Sequence, residues 1–138
     1  MKEYMEIAYI ESLKAYKKKE VPVGAIIVKN GKIIARGYNQ KERKNQVTKH
    51  AELIAIEKAS RKLKNWRLED CELYTTLEPC PMCLGAIVQS RIKTTYYVIE
   101  AENSFIKHHQ TKNNQFIKLD LDNKYLELLQ KFFQRKRK

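Results

Sequence analysis

Two cysteines three residues apart, Cys80 and Cys83, are the residues of this chain best suited to hold a metal ion. They lie in "PCPMC", where the prolines predict the start of a helix, and positions i and i+3 share one face of a helix. The dipole at a helix N-terminus stabilises thiolates, which are the form of cysteine that binds metal. A catalytic zinc site needs one more protein ligand and leaves a position for water, whereas a structural site needs four protein ligands.

His50 and Glu52, in "HAE", can supply that third ligand and a proton carrier. An imidazole and a carboxylate in the first turn of a helix can both point into one pocket. The ring nitrogen would bind zinc, and the carboxylate would stay free beside the water. His50, Cys80 and Cys83 therefore predict a three-ligand site holding one Zn²⁺ per chain.

The third cysteine, Cys71, leaves a different site open. Together with the other three ligands it could close a Cys₃His structural zinc site in an RNA-binding module that is not an enzyme. Cys71 alternates with Leu73 in a predicted strand, so we expect it to be a packing residue. An odd number of cysteines and a mixed, charged N-terminal stretch argue against a disulfide framework and a signal peptide, and predict a cytoplasmic protein.

The length and charge of the chain limit the number of domains and the class of partner that it can bind. The chain has 138 residues, which predicts a single domain over 1–138. Its net charge is +12, with 28 Lys and Arg against 16 Asp and Glu, which favours nucleic acid as a partner. Most of the basic residues are lysine, however, and an A/T-rich gene would enrich lysine without selection for binding. No stretch is apolar enough to predict a membrane span.

The hydrophobic pattern predicts alternating helices and strands. Helices are expected over about 1–18, 50–63 and 81–90 and from 123 onward, and strands at "AIIV", "CELYTTL", "TTYYVI" and "QFIKL". Asn30-Gly31 predicts a tight hairpin, "KERKNQVT" a polar loop, and Thr48 a helix cap. We expect Trp66 to pack beneath a turn, and Leu126, Leu129 and Phe133 to dock the last helix. This order predicts an α/β domain with a mixed sheet.

Several short stretches carry a resemblance to a known family, namely "VPVGAIIV", "GYN", "HAE", "LYTTLEPCPMCLGAI" and "SRI". The His-x-Glu and Pro-Cys-x-x-Cys pair matches the signature of zinc nucleobase deaminases. The chain resembles the cytidine-deaminase-like superfamily, and within it the bacterial tRNA-specific adenosine deaminases, which convert the wobble adenosine of an anticodon to inosine.

The resemblance implies a three-layer α/β/α cytidine-deaminase-like fold, a homodimer, and the anticodon stem-loop of tRNA as partner. It implies that Glu52 shuttles protons, that Asn39 and Ala51 hold the purine, and that basic residues near the end of the chain contact the RNA backbone. Those backbone contacts are Arg135, Lys136 and Arg137.

The chain departs from the family pattern in two places. "QVTK" precedes "HAE", and "AENSFIKHHQTKNNQ" follows the predicted strand "TTYYVI". The second stretch replaces a loop that holds RNA in the family, and we expect its His108 and His109 to be exposed. A deaminase of free guanine, free cytosine or a nucleotide is the alternative enzyme, and the basic end of the chain and "TLEPC" argue against it.

Overall fold

The architecture is a five-stranded mixed sheet with helices on both faces, as the sequence predicted. The computed structural model describes residues 1–104, 106 and 113–136. Its elements are α1 (Lys2–Lys17), β1 (Gly24–Lys29), β2 (Lys32–Tyr38), α2 (Lys41–Lys44), α3 (Ala51–Leu63), β3 (Cys71–Leu77), α4 (Pro81–Gln89), β4 (Thr94–Ile99), β5 (Gln115–Lys118) and α5 (Lys124–Lys136).

The strand order β2-β1-β3-β4-β5 explains where the functional residues gather. β1 pairs antiparallel with β2 and with β3, whereas β3, β4 and β5 run parallel. The hairpin between β1 and β2 turns at Asn30 and Gly31, whose φ angles of 51° and 76° are those of the predicted tight turn. Because parallel strands end at the same edge, the segments that follow β3 and β4 lie next to each other.

Alternation along the strands divides the core between the two faces. On one face Ala25 and Ile27 pack against α3 and α4, and on the other Ile26 and Val28 pack against α1 and α5. β1 is buried from Gly24 to Val28 because it has a neighbouring strand on each side and helices on both faces. Among the described residues, none of the helices combines the length and the apolar character that crossing a bilayer requires.

Gly37 sets the height of α3 above the sheet. A Cβ at this position of β2 would lie 2.5 Å from the carbonyl oxygen of Ala51 and 3.0 Å from the amide nitrogen of Ala55. Only glycine therefore allows the first two turns of α3 to lie this close to the strand.

Two local predictions in the segment before α3 were wrong. Part of the predicted loop forms the short helix α2, and the buried carboxylate of Glu20 accepts the N–H groups of Glu42 and Arg43 in it. Thr48 does not cap α3, because His50 occupies the N-cap position and its carbonyl accepts the N–H of Ile54.

The predicted contact of Trp66 was also wrong, and the predicted docking of α5 was correct only for Leu129, which packs against the core cluster. Trp66 is 55% exposed and lies beside the guanidinium of Arg67, 5.0 Å from its ring centroid. On α5, Leu126 and Phe133 are exposed, and the buried stripe consists of Tyr125, Leu128 and Phe132. The amphipathic pattern of α5 contains two overlapping apolar stripes. The stripe that carries Tyr125 is the buried one, because this ring packs edge-on against Tyr9 of α1 at 5.0 Å.

Candidate active site

Two helix starts converge on one point, and each carries metal-binding side chains. His50 is the N-cap residue of α3 and Cys80 the N-cap residue of α4, with Cys83 one turn further on. Neither cap side chain bonds to its own helix, so both are directed to other partners. The site thus lies between the positive ends of two helix dipoles, which favour thiolates there.

The three predicted ligands are brought together with a spacing that suits zinc. Nδ1 of His50 lies 3.7 Å from Sγ of Cys80 and 3.5 Å from Sγ of Cys83. Zn–S bonds of about 2.3 Å and a Zn–N bond of about 2.0 Å at tetrahedral angles separate nitrogen and sulfur by about 3.6 Å. Within the described part of the chain, this His-Cys-Cys set is the group of side chains that could hold a metal ion.

The protonation of the two thiols is coupled. A hydrogen bond from the Cys83 thiol lowers the pKa of Cys80 to about 3. The same bond, together with burial, raises the pKa of Cys83, so the two sulfurs share one proton. The bond to Cys80 likewise raises the pKa of His50. Since zinc binds both sulfurs as thiolates, metal binding would release this shared proton.

Glu52 lies beside the ligands but is not one of them. Its side chain is buried, and burial raises the pKa of its carboxyl group to about 7. A carboxyl group with such a pKa can both accept and donate a proton near neutral pH. A metal cation in the adjacent site would stabilise the carboxylate and lower this pKa.

A cavity of about 200 Å³ opens at the three-ligand set. It is smaller than the roughly 300–1,000 Å³ of pockets that hold drug-sized ligands, which suits one heterocyclic base. Asn39 and Ala51, the residues predicted to hold a purine, line it together with Glu52, the predicted proton carrier. The remaining lining residues are Val21, Val23, Lys41, His50, Leu77, Glu78 and Cys80.

Asn39 is held in one orientation in this cavity. Its Nδ2 donates to the carbonyl of Val21 at 3.2 Å, and its Oδ1 accepts the N–H of Lys41 at 3.2 Å. An amide has two N–H donors, so one of them remains for a ligand.

Sequence reasoning missed two buried carboxylates that position the walls of the cavity. Glu78 accepts the N–H of Ala101 at 3.1 Å and the hydroxyl of Ser104 at 2.8 Å, which ties the segment after β4 to the site. Glu20 holds α2 in the same way from the other side. The only sign of Glu20 and Glu78 in the sequence was a glutamate next to apolar residues, in "KEVPVG" and "TLEPC".

Residues predicted near the end of the chain are placed only in part. The guanidinium of Arg135 lies 4.2 Å from the ring centroid of Tyr16 and donates to its carbonyl at 3.2 Å. The side chain of Lys136 lies outside the described part of the chain, as do Arg137, His108 and His109.

Cys71 does not belong to the site. It opens β3, whereas Cys80 follows the end of this seven-residue strand, so about 20 Å of extended chain separates the two. Cys71 is buried in the core cluster between the sheet and α3, as the packing prediction stated.

Replacing Cys71 with alanine is therefore expected to leave zinc content unchanged. The substitution removes a buried sulfur and costs only stability, by about 1–2 kcal/mol for a small cavity. Metal analysis of the purified variant checks this expectation. Zinc loss would instead support the Cys₃His structural site.

Comparison with known proteins decides the family. The family description "Cytidine and deoxycytidylate deaminase zinc-binding region" matches residues 1–99. The chain belongs to this deaminase family. The resemblance inferred from "HAE" and "PCPMC" is thus confirmed.

Individual deaminases resemble the chain to different degrees. The tRNA-specific adenosine deaminase of Bacillus subtilis is 49% identical over 94 residues, which are 68% of this chain and 58% of that relative. A solved structure from work on A-to-I editing by tRNA:A34 deaminases has a TM-score of 0.79 at 35% identity, over 86% of this chain and 98% of that one. The guanine deaminase of Bacillus subtilis has a TM-score of 0.69 at 34% identity, over 99% and 92%.

The chain spans less than two thirds of the length of the curated deaminases that it matches first. The solved deaminase structures confirm the predicted three-layer fold with its mixed sheet.

Proposed function

We propose that the chain is a zinc-dependent hydrolase that deaminates adenosine to inosine at the wobble position of tRNA anticodons. The observation that carries this proposal is the base-sized cavity in which buried Glu52 adjoins the His50, Cys80 and Cys83 set. The similarity to tRNA-specific adenosine deaminases, at 49% identity, favours adenosine in tRNA as the substrate.

The residues of the site divide the chemistry between them. His50, Cys80 and Cys83 would hold the zinc, which when bound lowers the pKa of water to about 7. Glu52 takes a proton from the attacking water and delivers it to N1 of the purine. It then carries a second proton to the leaving amine, so that water and adenosine become inosine and ammonia.

Asn39 and Ala51 orient the base for this attack. The free N–H of Asn39 donates to the purine edge. Ala51, the first residue of α3, adds backbone close to the base because its side chain is a single methyl group.

We further propose that residues 1–138 act as a single domain with one Zn²⁺ per chain. Free, unpaired cysteines and a tRNA substrate both suit the cytoplasm. A homodimer, as the family resemblance implies, would cover α4, where the space beside Gly85 is open. Size-exclusion chromatography with light scattering measures whether the protein is a dimer, and metal analysis measures the number of Zn²⁺ ions per chain.

Guanine deamination is the second candidate function, because a guanine deaminase matches 99% of this chain. The two activities separate in one experiment. Total tRNA is incubated with the zinc-loaded protein and sequenced, and free guanine is incubated in parallel and assayed for ammonia. We expect adenosine to be read as guanosine at one anticodon position and no ammonia from guanine. Ammonia from guanine with unchanged tRNA would overturn the proposal.

A further inference from the structure

A group of six exposed cations, here called the basic rim, lies on the end of α1, the loop after it and α2, beginning at the cavity-lining residue Lys41. It consists of Lys17, Lys18, Lys19, Lys41, Arg43 and Lys44. The first three end α1 and the loop after it, and the last three lie in α2. Lys41 itself lines the cavity, so the rim begins where the base would enter.

Glu20 joins the two halves of the basic rim. One carboxylate oxygen accepts the N–H of Glu42 at 3.0 Å and the other accepts the N–H of Arg43 at 2.7 Å. The carboxylate is buried, so these bonds are shielded from water. Lys18 adds a second link by donating to the hydroxyl of Tyr38 at 2.6 Å, one residue before Asn39. The cations are therefore held at a set place relative to the base-binding residues.

The charges of the rim are not neutralised by the protein. Elsewhere lysines pair with carboxylates, as Lys14 does with Glu11 and Lys124 with Glu6, both at 2.6 Å. No carboxylate of the described residues lies within 4.0 Å of a rim cation. Glu42 is the single exposed acidic side chain within α2. Six like charges with one exposed carboxylate among them and no ion pair to it attract a polyanion.

The end of α5 extends this surface. Arg135 rests on Tyr16, which directly precedes Lys17 in α1. Its guanidinium is held by the ring and the carbonyl of Tyr16, so Arg135 contributes charge at the outer end of the rim.

We propose that the basic rim binds the phosphates on either side of the target nucleotide and holds single-stranded RNA across the mouth of the cavity. The inference rests on the proposed function. A cavity of about 200 Å³ accepts the base alone, so the sugar–phosphate backbone remains outside, where the rim lies. Exposed lysine and arginine neutralise phosphates without reading sequence, and the cavity supplies the selection of the base.

The test measures binding of an anticodon stem-loop RNA to the zinc-loaded protein across a salt series. The variant K17Q/K19Q/R43Q/K44Q removes four rim charges and spares Lys18 and Lys41, whose side chains have other contacts. The control K32Q/K62Q/K64Q/K93Q removes the same charge from exposed positions. These residues lie at the start of β2, the end of α3 and the start of β4, at the ends of the strands away from the cavity.

Removing one phosphate-binding cation flattens the log–log salt dependence of single-strand binding by about 0.7. We expect the rim variant to flatten it by at least about 1.4 and to bind at least about tenfold more weakly at low salt. We expect the control to change the slope by less than about 0.7. Equal slopes for the rim variant and the control would overturn the proposal, as would wild-type protein that does not bind the stem-loop.

Adenosine conversion in the same stem-loop distinguishes failure of the rim from failure of the proposed function. Wild-type protein that binds the RNA but never converts adenosine would contradict the proposed function, whereas the salt slopes would still report on the rim. Wild-type protein that converts adenosine, with a rim variant that behaves like the control, would contradict the rim alone. Zinc content and circular dichroism of each variant verify that the site and fold are intact.

Discussion

Replacing Glu52 with alanine or glutamine is expected to lower turnover by about 10²- to 10⁴-fold, the usual contribution of one general acid–base group. The reason is that Glu52 is the buried carboxyl group beside the metal-binding set in this cavity. Zinc should remain at the wild-type amount, because the three ligands do not include Glu52. Single-turnover deamination of an anticodon stem-loop and metal analysis measure the two effects.

The glutamine variant is the sharper of the two, since it keeps the volume of the buried side chain and removes only its ability to exchange protons. Glu57 provides a control on the same helix. It is 52% exposed and pairs with Lys49 at 3.6 Å, so Glu57→Gln should retain wild-type turnover. Activity of the Glu52 variants within about tenfold of wild type would be too high for a proton shuttle.

Replacing Cys83 with alanine is expected to abolish activity and to lower zinc affinity by more than about 100-fold. Loss of a residue that only hydrogen-bonds to a ligand already lowers metal affinity by up to about 100-fold, and loss of a ligand should lower it further. Metal binding is linked to folding of its site, so we also expect a lower melting temperature. His50 at the start of α3 and the two cysteines at the start of α4 would be joined by a bound metal, so its loss would remove a link between these two elements. Zinc content and thermal unfolding, with and without a chelator, measure both effects.

Cys71→Ala is the matched control for this variant. Both cysteines are buried, at 2% and 0% exposure, so each substitution removes one buried sulfur. The difference in melting temperature between the two variants therefore isolates the contribution of the metal. Equal melting temperatures and equal zinc contents would show that Cys83 is a packing residue.

The elements that were predicted correctly, and the placing of Cys80 and Cys83 on one face, depend on local pattern. β3 and β4 have the predicted bounds, because their β-branched and aromatic runs end abruptly at charged residues or prolines. The spacing of Cys80 and Cys83 within one turn of a helix predicted their shared face, whereas His50, 30 residues before Cys80, was joined to them through the deaminase signature. Such signals need no knowledge of which segments meet in space.

The features that were missed depend on contacts between distant segments. Glu78 binds residues more than twenty positions away, and Glu20 does the same with α2. A single sequence does not reveal such pairings. The buried face of α5 was mispredicted for Leu126 and Phe133 for the same reason, since two apolar stripes are available and the contact with Tyr9 selects the one that carries Tyr125.

Gly37 has a consequence for how this cavity can change under mutation. The carbonyl of Ala51 has no room to move toward β2, and a larger residue at position 37 would push the start of α3, with His50, away from the sulfurs. The start of α3, which we call the floor of the cavity, is therefore intolerant of substitution at Gly37 beneath it. Val21, Val23 and Lys41 also line the cavity, and they come from a loop and a four-residue helix, so we call them its loop wall. Selection for a larger or smaller base would therefore be expected to accept substitutions in this wall and to reject them in the floor.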